Sequence, residues 1–208
     1  RMALISGILS AGGLVWDFAG CIEPQFDYFV DFSMIRMGVY VSGGPKGSVR
    51  LVTAGGLPAG RSVERAVETR LSAGDFTRAG WDSLQLPTDM SGMGQLYRQE
   101  LVSMAPEGLG GIRAEVRGSD HEPVKMLSAV LDTIGCTVGD GIRLHLGAGG
   151  RRLSLFDPQA GYIWPERVLA ISCYIAFTKR EDVALPYDAP VAIEEMAKKH
   201  GCRVRRYL

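Results

Sequence analysis

Apolar and polar positions along this 208-residue chain fall into blocks that switch between a helical and a strand period. Leu4, Ile5, Ile8 and Leu9 recur at helical spacing, and Gly12-Gly13 behind them is a helix stop. Residues 14–18 read as a strand. Pro24 opens a helix through Phe32, because a first-turn proline lacks only an N–H that the helix would leave unpaired. Short buried strands are expected at 38–42 and 48–52 around a Gly/Pro turn. A charged amphipathic helix follows at 61–71, with Val63, Ala66, Val67 and Leu71 on one side. Periodicity lapses from Gly74 to Gly92, a stretch that reads as a linker.

Beyond the linker the pattern predicts a helix at 93–104, a strand at 111–117 and a helix at 122–134 that Gly135 ends. Strands at 142–146 and 153–156 flank Gly147-Ala148-Gly149-Gly150-Arg151-Arg152. A helix at 166–177, a strand at 183–186, a helix at 191–200 and a strand at 203–207 complete the chain. Such alternation is the mark of layered α/β architecture. The expectation is two small α/β domains, 1–90 and 91–163, and the opening of a third, 164–208.

Hydrophobic residues make up 46% of the chain, ample for globular cores. Lys and Arg (23) balance Asp and Glu (23), so a surface built to coat nucleic acid or an acidic membrane is not expected. The longest apolar run, 168–177, falls short of the about 18 residues a membrane span needs. The start Arg1-Met2-Ala3-Leu4-Ile5 lacks the leader, apolar stretch and cleavage site of a secretion signal. Cys21, Cys136, Cys173 and Cys202 lie far apart with no CxxC pair, so free thiols in a reducing, cytoplasmic setting are expected rather than structural zinc.

Several stretches, in order, resemble the α-D-phosphohexomutase (phosphoglucomutase/phosphomannomutase) family. Gly7-Ile8-Leu9-Ser10-Ala11-Gly12 is similar to its first helix-ending turn, Val15-Trp16-Asp17-Phe18-Ala19-Gly20 to the next strand, and Pro24-Gln25-Phe26 to the following helix start. Gly38-Val39-Tyr40-Val41 resembles the strand before the family's serine loop, and residues 61–76, with Glu64, Glu68 and Gly74-Asp75-Phe76, its next helix. The resemblance implies phosphohexomutase-like layered domains and phosphoryl transfer between sugar hydroxyls. It also implies that the family's opening strand precedes Arg1 and that its later domains lie beyond Leu208, so a longer polypeptide, or completion by another chain, is expected.

Two loops depart from the family pattern. Ser42-Gly43-Gly44-Pro45-Lys46-Gly47 stands where the family has Thr-Ala-Ser-His-Asn-Pro, which puts Gly44 in the place of the phosphorylated serine. Glycine offers no oxygen nucleophile. Ser42 and Ser48 are the nearest hydroxyls. In the second loop the family has Asp-Gly-Asp-x-Asp-Arg, whose carboxylates hold magnesium. Here Gly147, Gly149 and Arg151 occupy the aspartate positions and only Arg152 remains. No catalytic residue, no metal site and no cofactor are therefore expected, with magnesium relevant only if an active mutase uses a substitute nucleophile.

Both loops admit a second reading. Successive backbone N–H groups at 147–152, with Arg151 and Arg152, could cradle an anion, and Ser42 with Lys46 could hold a phosphate. Plain turns are preferred, since no helix N-terminus follows the first loop and lone lysines beside glycine turns are common. His145 reads as an ordinary strand histidine, His121 as part of a helix cap, His200 as a helix-end charge, and Arg203, Arg205 and Arg206 as a solvated strand face.

Degenerate mutase regions of this type resemble those fused to sugar nucleotidyltransferases such as mannose-1-phosphate guanylyltransferase-like proteins. The expected role is thus a non-catalytic module in sugar-nucleotide biosynthesis: structural, oligomerising or sugar-phosphate-sensing. Its expected partners are the rest of its own polypeptide or a second copy, and a sugar phosphate, with neither nucleic acid nor membrane.

Overall fold

A helix with a proline in its first turn and three buried apolar side chains organises the first half of the chain. The computed structural model describes residues 1–43 and 47–207. Contacts group these into two units, Arg1–Ala105 and Pro106–Leu208.

The first unit contains α1 (Met2–Ser10), β1 (Trp16–Asp17), α2 (Glu23–Phe32), β2 (Met37–Ser42), β3 (Ser48–Thr53), β4 (Leu57–Pro58), α3 (Arg61–Ala73), β5 (Thr88–Asp89) and α4 (Met93–Ser103). Pro24 occupies the first turn of α2, and the Gln25 side chain accepts the Ile22 N–H at 3.0 Å. This ties down one of the donors a helix start leaves open. Phe26, Phe29 and Val30 face inward, where Phe18 stacks on Phe29 with ring centres 5.1 Å apart. Strands β2, β3 and β4 form an antiparallel sheet in that order. Gly38 lets α2 lie directly on it, because a Cβ there would stand 2.6 Å from Val30 Cγ2 and 2.8 Å from Phe26 Cζ.

Two sequence expectations change here. The strand expected at 14–18 is reduced to β1. The stretch read as a linker carries β5, which pairs parallel with β1 through Thr88 N–H to Val15 O (2.8 Å) and Met90 N–H to Asp17 O (2.9 Å). Strands two residues long contain no alternation to read, so only the long-range pairing reveals them. Helix α4, placed by the sequence at the opening of segment 91–163, packs in the first unit, where Tyr97 meets Tyr28 and Phe29.

The second unit contains β6 (Arg113–Gly118), α5 (His121–Thr133), β7 (Thr137–Val138), β8 (Ile142–Leu146), β9 (Leu153–Asp157), β10 (Gly161–Ile163), α6 (Pro165–Thr178), β11 (Val183–Pro186), α7 (Ala192–His200) and β12 (Val204–Tyr207). Its five-stranded sheet runs β10-β9-β8-β6-β7, with β6 parallel to β7 and β8 and the rest antiparallel. A parallel pair, β11 and β12, joins α6 and α7 around Cys173, Phe177, Leu185, Ile193 and Cys202. Among the described residues no helix is long and apolar enough to cross a membrane.

The arginine run near the end is not one solvated face. Arg203 and Arg205 are exposed, whereas Arg206 turns inward. It donates to Glu194 Oε1 at 2.8 Å and to the carbonyls of Tyr187 (2.7 Å), Ala189 (2.9 Å) and Pro186 (3.3 Å). Strand alternation sends 203 and 205 one way and 206 the other, and the carbonyls of a turning loop need a forked donor.

Candidate functional site

The first candidate loop joins β2 to β3. The two strands pair from Met37↔Thr53 to Ser42↔Ser48, and at the last pair the two hydroxyls hydrogen-bond each other at 2.6 Å. Ser42 and Ser48 therefore close the neck of the hairpin. Gly44 and Lys46, the positions read as the lost serine and a candidate phosphate contact, lie outside the described residues.

Two pairs down the hairpin, Arg50 pairs across the strands with Tyr40 and lies over its ring, 5.6 Å from the centre. It donates to Asp27 Oδ1 at 2.7 Å and lies 3.7 Å from Glu23 Oε2. Tyr40 donates its hydroxyl to Cys21 O at 3.1 Å. These bonds anchor the hairpin to the first turns of α2. Glu23 and Asp27, four residues apart on that helix, carry a readable spacing, but their partner on β3 is set only by folding. Burial first, then the charge of Asp17, pushes the Cys21 thiol up to about 11, so it is protonated and a poor nucleophile at neutral pH.

The second candidate loop joins β8 to β9. Gly147 N–H bonds Arg152 O at 2.8 Å, and Gly150 N–H bonds Gly147 O at 3.1 Å, which closes a tight turn. Gly149 takes φ +70, the left-handed region that disfavours a side chain. Its N–H points at Asp120 Oδ2, 2.7 Å away. The anion at this glycine loop is thus the chain's own carboxylate. Asp120 stands at the N-cap of α5 but makes no side-chain cap bond there; its oxygen goes to the loop instead. An aspartate just before a helix start was legible as a cap, whereas its partner 29 residues on was not. Asp120→Ala is expected to cost about 1 kcal/mol, discounted for exposure, with Asp120→Asn recovering most of it in urea unfolding.

Arg152 is exposed, and its backbone closes the turn; Arg151 follows the turn and is engaged as well. The residues at 147–152 do not fit a hard divalent cation, which needs several oxygen ligands with negative charge. They supply glycine backbone and two guanidiniums, and Asp120 reaches the loop at the Gly149 N–H. Among the described residues, no group of three or more His, Cys, Asp or Glu side chains could hold a metal ion.

Beyond this turn, Asp157 accepts the N–H groups of Ala160 and Gln159, both at 2.8 Å, and these bonds hold its carboxyl below the usual range. His145 is exposed on β8 opposite Ser154. His121 opens α5 beside Glu122, 3.9 Å away, and His200 ends α7 against the rings of Tyr174 and Phe177. The structure places Ser42 in the first unit and Arg151 and Arg152 in the second.

Comparison with known proteins relates this chain to phosphohexomutases. It is 27% identical over 164 residues to a phosphoglucosamine mutase of Parafrankia sp. (strain EAN1pec), an alignment covering 73% of this chain and 35% of that protein. Its coordinates match a phosphoglucomutase/phosphomannomutase family protein from Burkholderia thailandensis with a TM-score of 0.74 at 12% identity, over 99% of this chain and 54% of the other. A phosphomannomutase candidate from Thermus thermophilus matches with a TM-score of 0.70, also at 12% identity, over 90% of this chain and 52% of the other. No family model matches. The α/β layered fold is thus the one these mutase structures share. The chain spans about a third of the length of the curated relative and about half of each solved chain.

Proposed function

We propose that this chain is a phosphohexomutase-like module that no longer transfers phosphate and serves a structural, oligomerising or sugar-phosphate-sensing role. The observation that carries the reading is the β8–β9 loop. Where the resemblance calls for magnesium-holding aspartates, the chain has Gly147, Gly149 and Arg151, and the nearby Asp120 is engaged by the Gly149 N–H. Phosphoryl transfer depends on charge neutralisation at the phosphate and an in-line oxygen nucleophile. A glycine at position 44 and a loop of glycines and arginines weaken both requirements. Ser42 and Ser48 hydrogen-bond each other, and a second serine hydroxyl is not a base that could activate either as a nucleophile.

The same reading makes the chain part of a longer sugar-nucleotide biosynthesis protein with a mannose-1-phosphate guanylyltransferase-like domain. Its setting would be the cytoplasm, without a bound cofactor. The competing reading is an active phosphomannomutase or phosphoglucomutase with a substitute nucleophile.

The test is intact mass before and after incubation with magnesium and a hexose 1,6-bisphosphate, with mutase turnover assayed in parallel. An unchanged mass and no turnover are expected. A stable gain of one phosphate at Ser42 or Ser48 would overturn the proposal in favour of the active mutase.

A further inference from the structure

Strand β12 is paired on one side alone. Among the described residues its strand neighbour is β11, in parallel register from Val183↔Val204 to Pro186↔Tyr207. Val183 N–H bonds Arg203 O at 3.1 Å and Tyr187 N–H bonds Tyr207 O at 2.9 Å. Main-chain polar groups alternate in direction along a strand, so those of Val204 and Arg206 point to the open side. The outer edge of β11 offers less, because Pro186 there has no N–H to give.

A groove of about 350 Å³ lies between α7 and this strand. Its walls include the consecutive residues 203–205 and no residue of β11, so it follows the open edge. Ala197 and Cys202, both buried, and Val204 make its floor apolar. The carboxylates beside it are engaged. Glu194 accepts from Arg206 at 2.8 Å, and Asp182 accepts from the Arg203 side chain at 3.0 Å. Lys198 and Arg205, which also line the groove, are exposed and in no salt bridge among the described residues. The groove is left with an excess of positive charge.

We infer that the open edge of β12 takes up an extended acidic peptide segment as an added strand. Main-chain bonds along such an edge supply affinity, and alternate side chains supply selectivity. Val204 packs on the core of Phe177 and Ile193, so alternation turns Arg203 and Arg205 to the other face of the strand. An added strand would alternate in the same way. Its apolar side chains would lie on the α7 side, over Ala197, Cys202 and Val204. Its carboxylates would lie on the other side, beside Arg203 and Arg205, with Lys198 at the rim. A second copy of β12 is a poor occupant, because edge-to-edge pairing sets these arginines against each other and like charges across a sheet repel. A nucleic acid would meet the charge but would leave the row of main-chain groups without a strand to pair. The inference stands apart from the mutase question, since it involves neither candidate loop.

Fluorescence anisotropy of the full chain with a fluorescein-labelled peptide of alternating glutamate and valine is expected to give a dissociation constant of about 10–100 µM. Binding should weaken as salt rises. Lys198→Glu combined with Arg205→Glu should weaken it about tenfold, with unchanged far-UV circular dichroism because both side chains are exposed. Methylating the peptide's amides separates strand addition from attraction of charge alone, and uses the wild-type chain. Only alternate amides face β12, so N-methylation of every glutamate or of every valine should abolish binding in one series and spare it in the other. No binding up to about 1 mM, or binding indifferent to both methylation series, overturns the proposal.

Discussion

Phe29→Ala is expected to lower the free energy of unfolding by about 3–5 kcal/mol. Phe29 is 1% exposed and sits where α2, α4 and the segment after β1 converge. Its ring stacks on Phe18 at 5.1 Å and meets Tyr97 edge-on at 6.4 Å. Truncation removes the transfer energy of the ring and leaves a cavity between groups held by separate elements, which cannot all collapse into it. Phe29→Leu, which fills part of the space, should cost less than half as much. Urea unfolding followed by far-UV circular dichroism measures both variants. A loss below about 1 kcal/mol would show that this cluster is not the core of the first unit.

Arg206→Met is expected to cost about 2–3 kcal/mol. The methionine keeps the apolar stem of the arginine but gives up the bond to Glu194 and those to the carbonyls of Pro186, Tyr187 and Ala189. With its side chain 19% exposed, the arginine is shielded enough for the lost bonds to matter. Glu194 is 39% exposed, so Glu194→Ala should cost clearly less, because water can take its place beside the guanidinium. A double-mutant cycle between the two separates the ion pair from the carbonyl clamp. Hydrogen exchange should rise first at residues 186–190, the turn the arginine holds. If Glu194→Ala costs as much as Arg206→Met, the clamp is incidental and the ion pair carries the effect.

The two loops that inform the functional reading were legible to different depths. Gly147, Gly149 and Arg151 could be set against the family's aspartates because strands β8 and β9 on either side kept their pattern. Asp120 could not be foreseen as the loop's anion. It stands at the helix N-cap, and the choice between the N–H groups of α5 and that of Gly149 depends on where β8 and β9 lie beside the helix. Arg50 was likewise one charged residue among many until folding set it between Tyr40, Glu23 and Asp27.

Local chemistry explains what the sequence determined by itself. Pro24 in a first turn, Gly74 and Gly201 in left-handed caps and the helical spacing of apolar residues act within a few positions of one another, so the helices stand close to where their patterns place them. The longer strands, β2, β3, β8 and β9, were readable for the same reason. Only the tertiary structure decided the partners. Strands β1 and β5 are two residues each and exist because chain segments some 70 residues apart meet. The inward turn of Arg206, the bond from Gly149 to Asp120 and the open edge of β12 are also consequences of which surfaces meet. Pairing energy and burial are properties of two surfaces brought together, and a sequence read along its length presents one surface at a time.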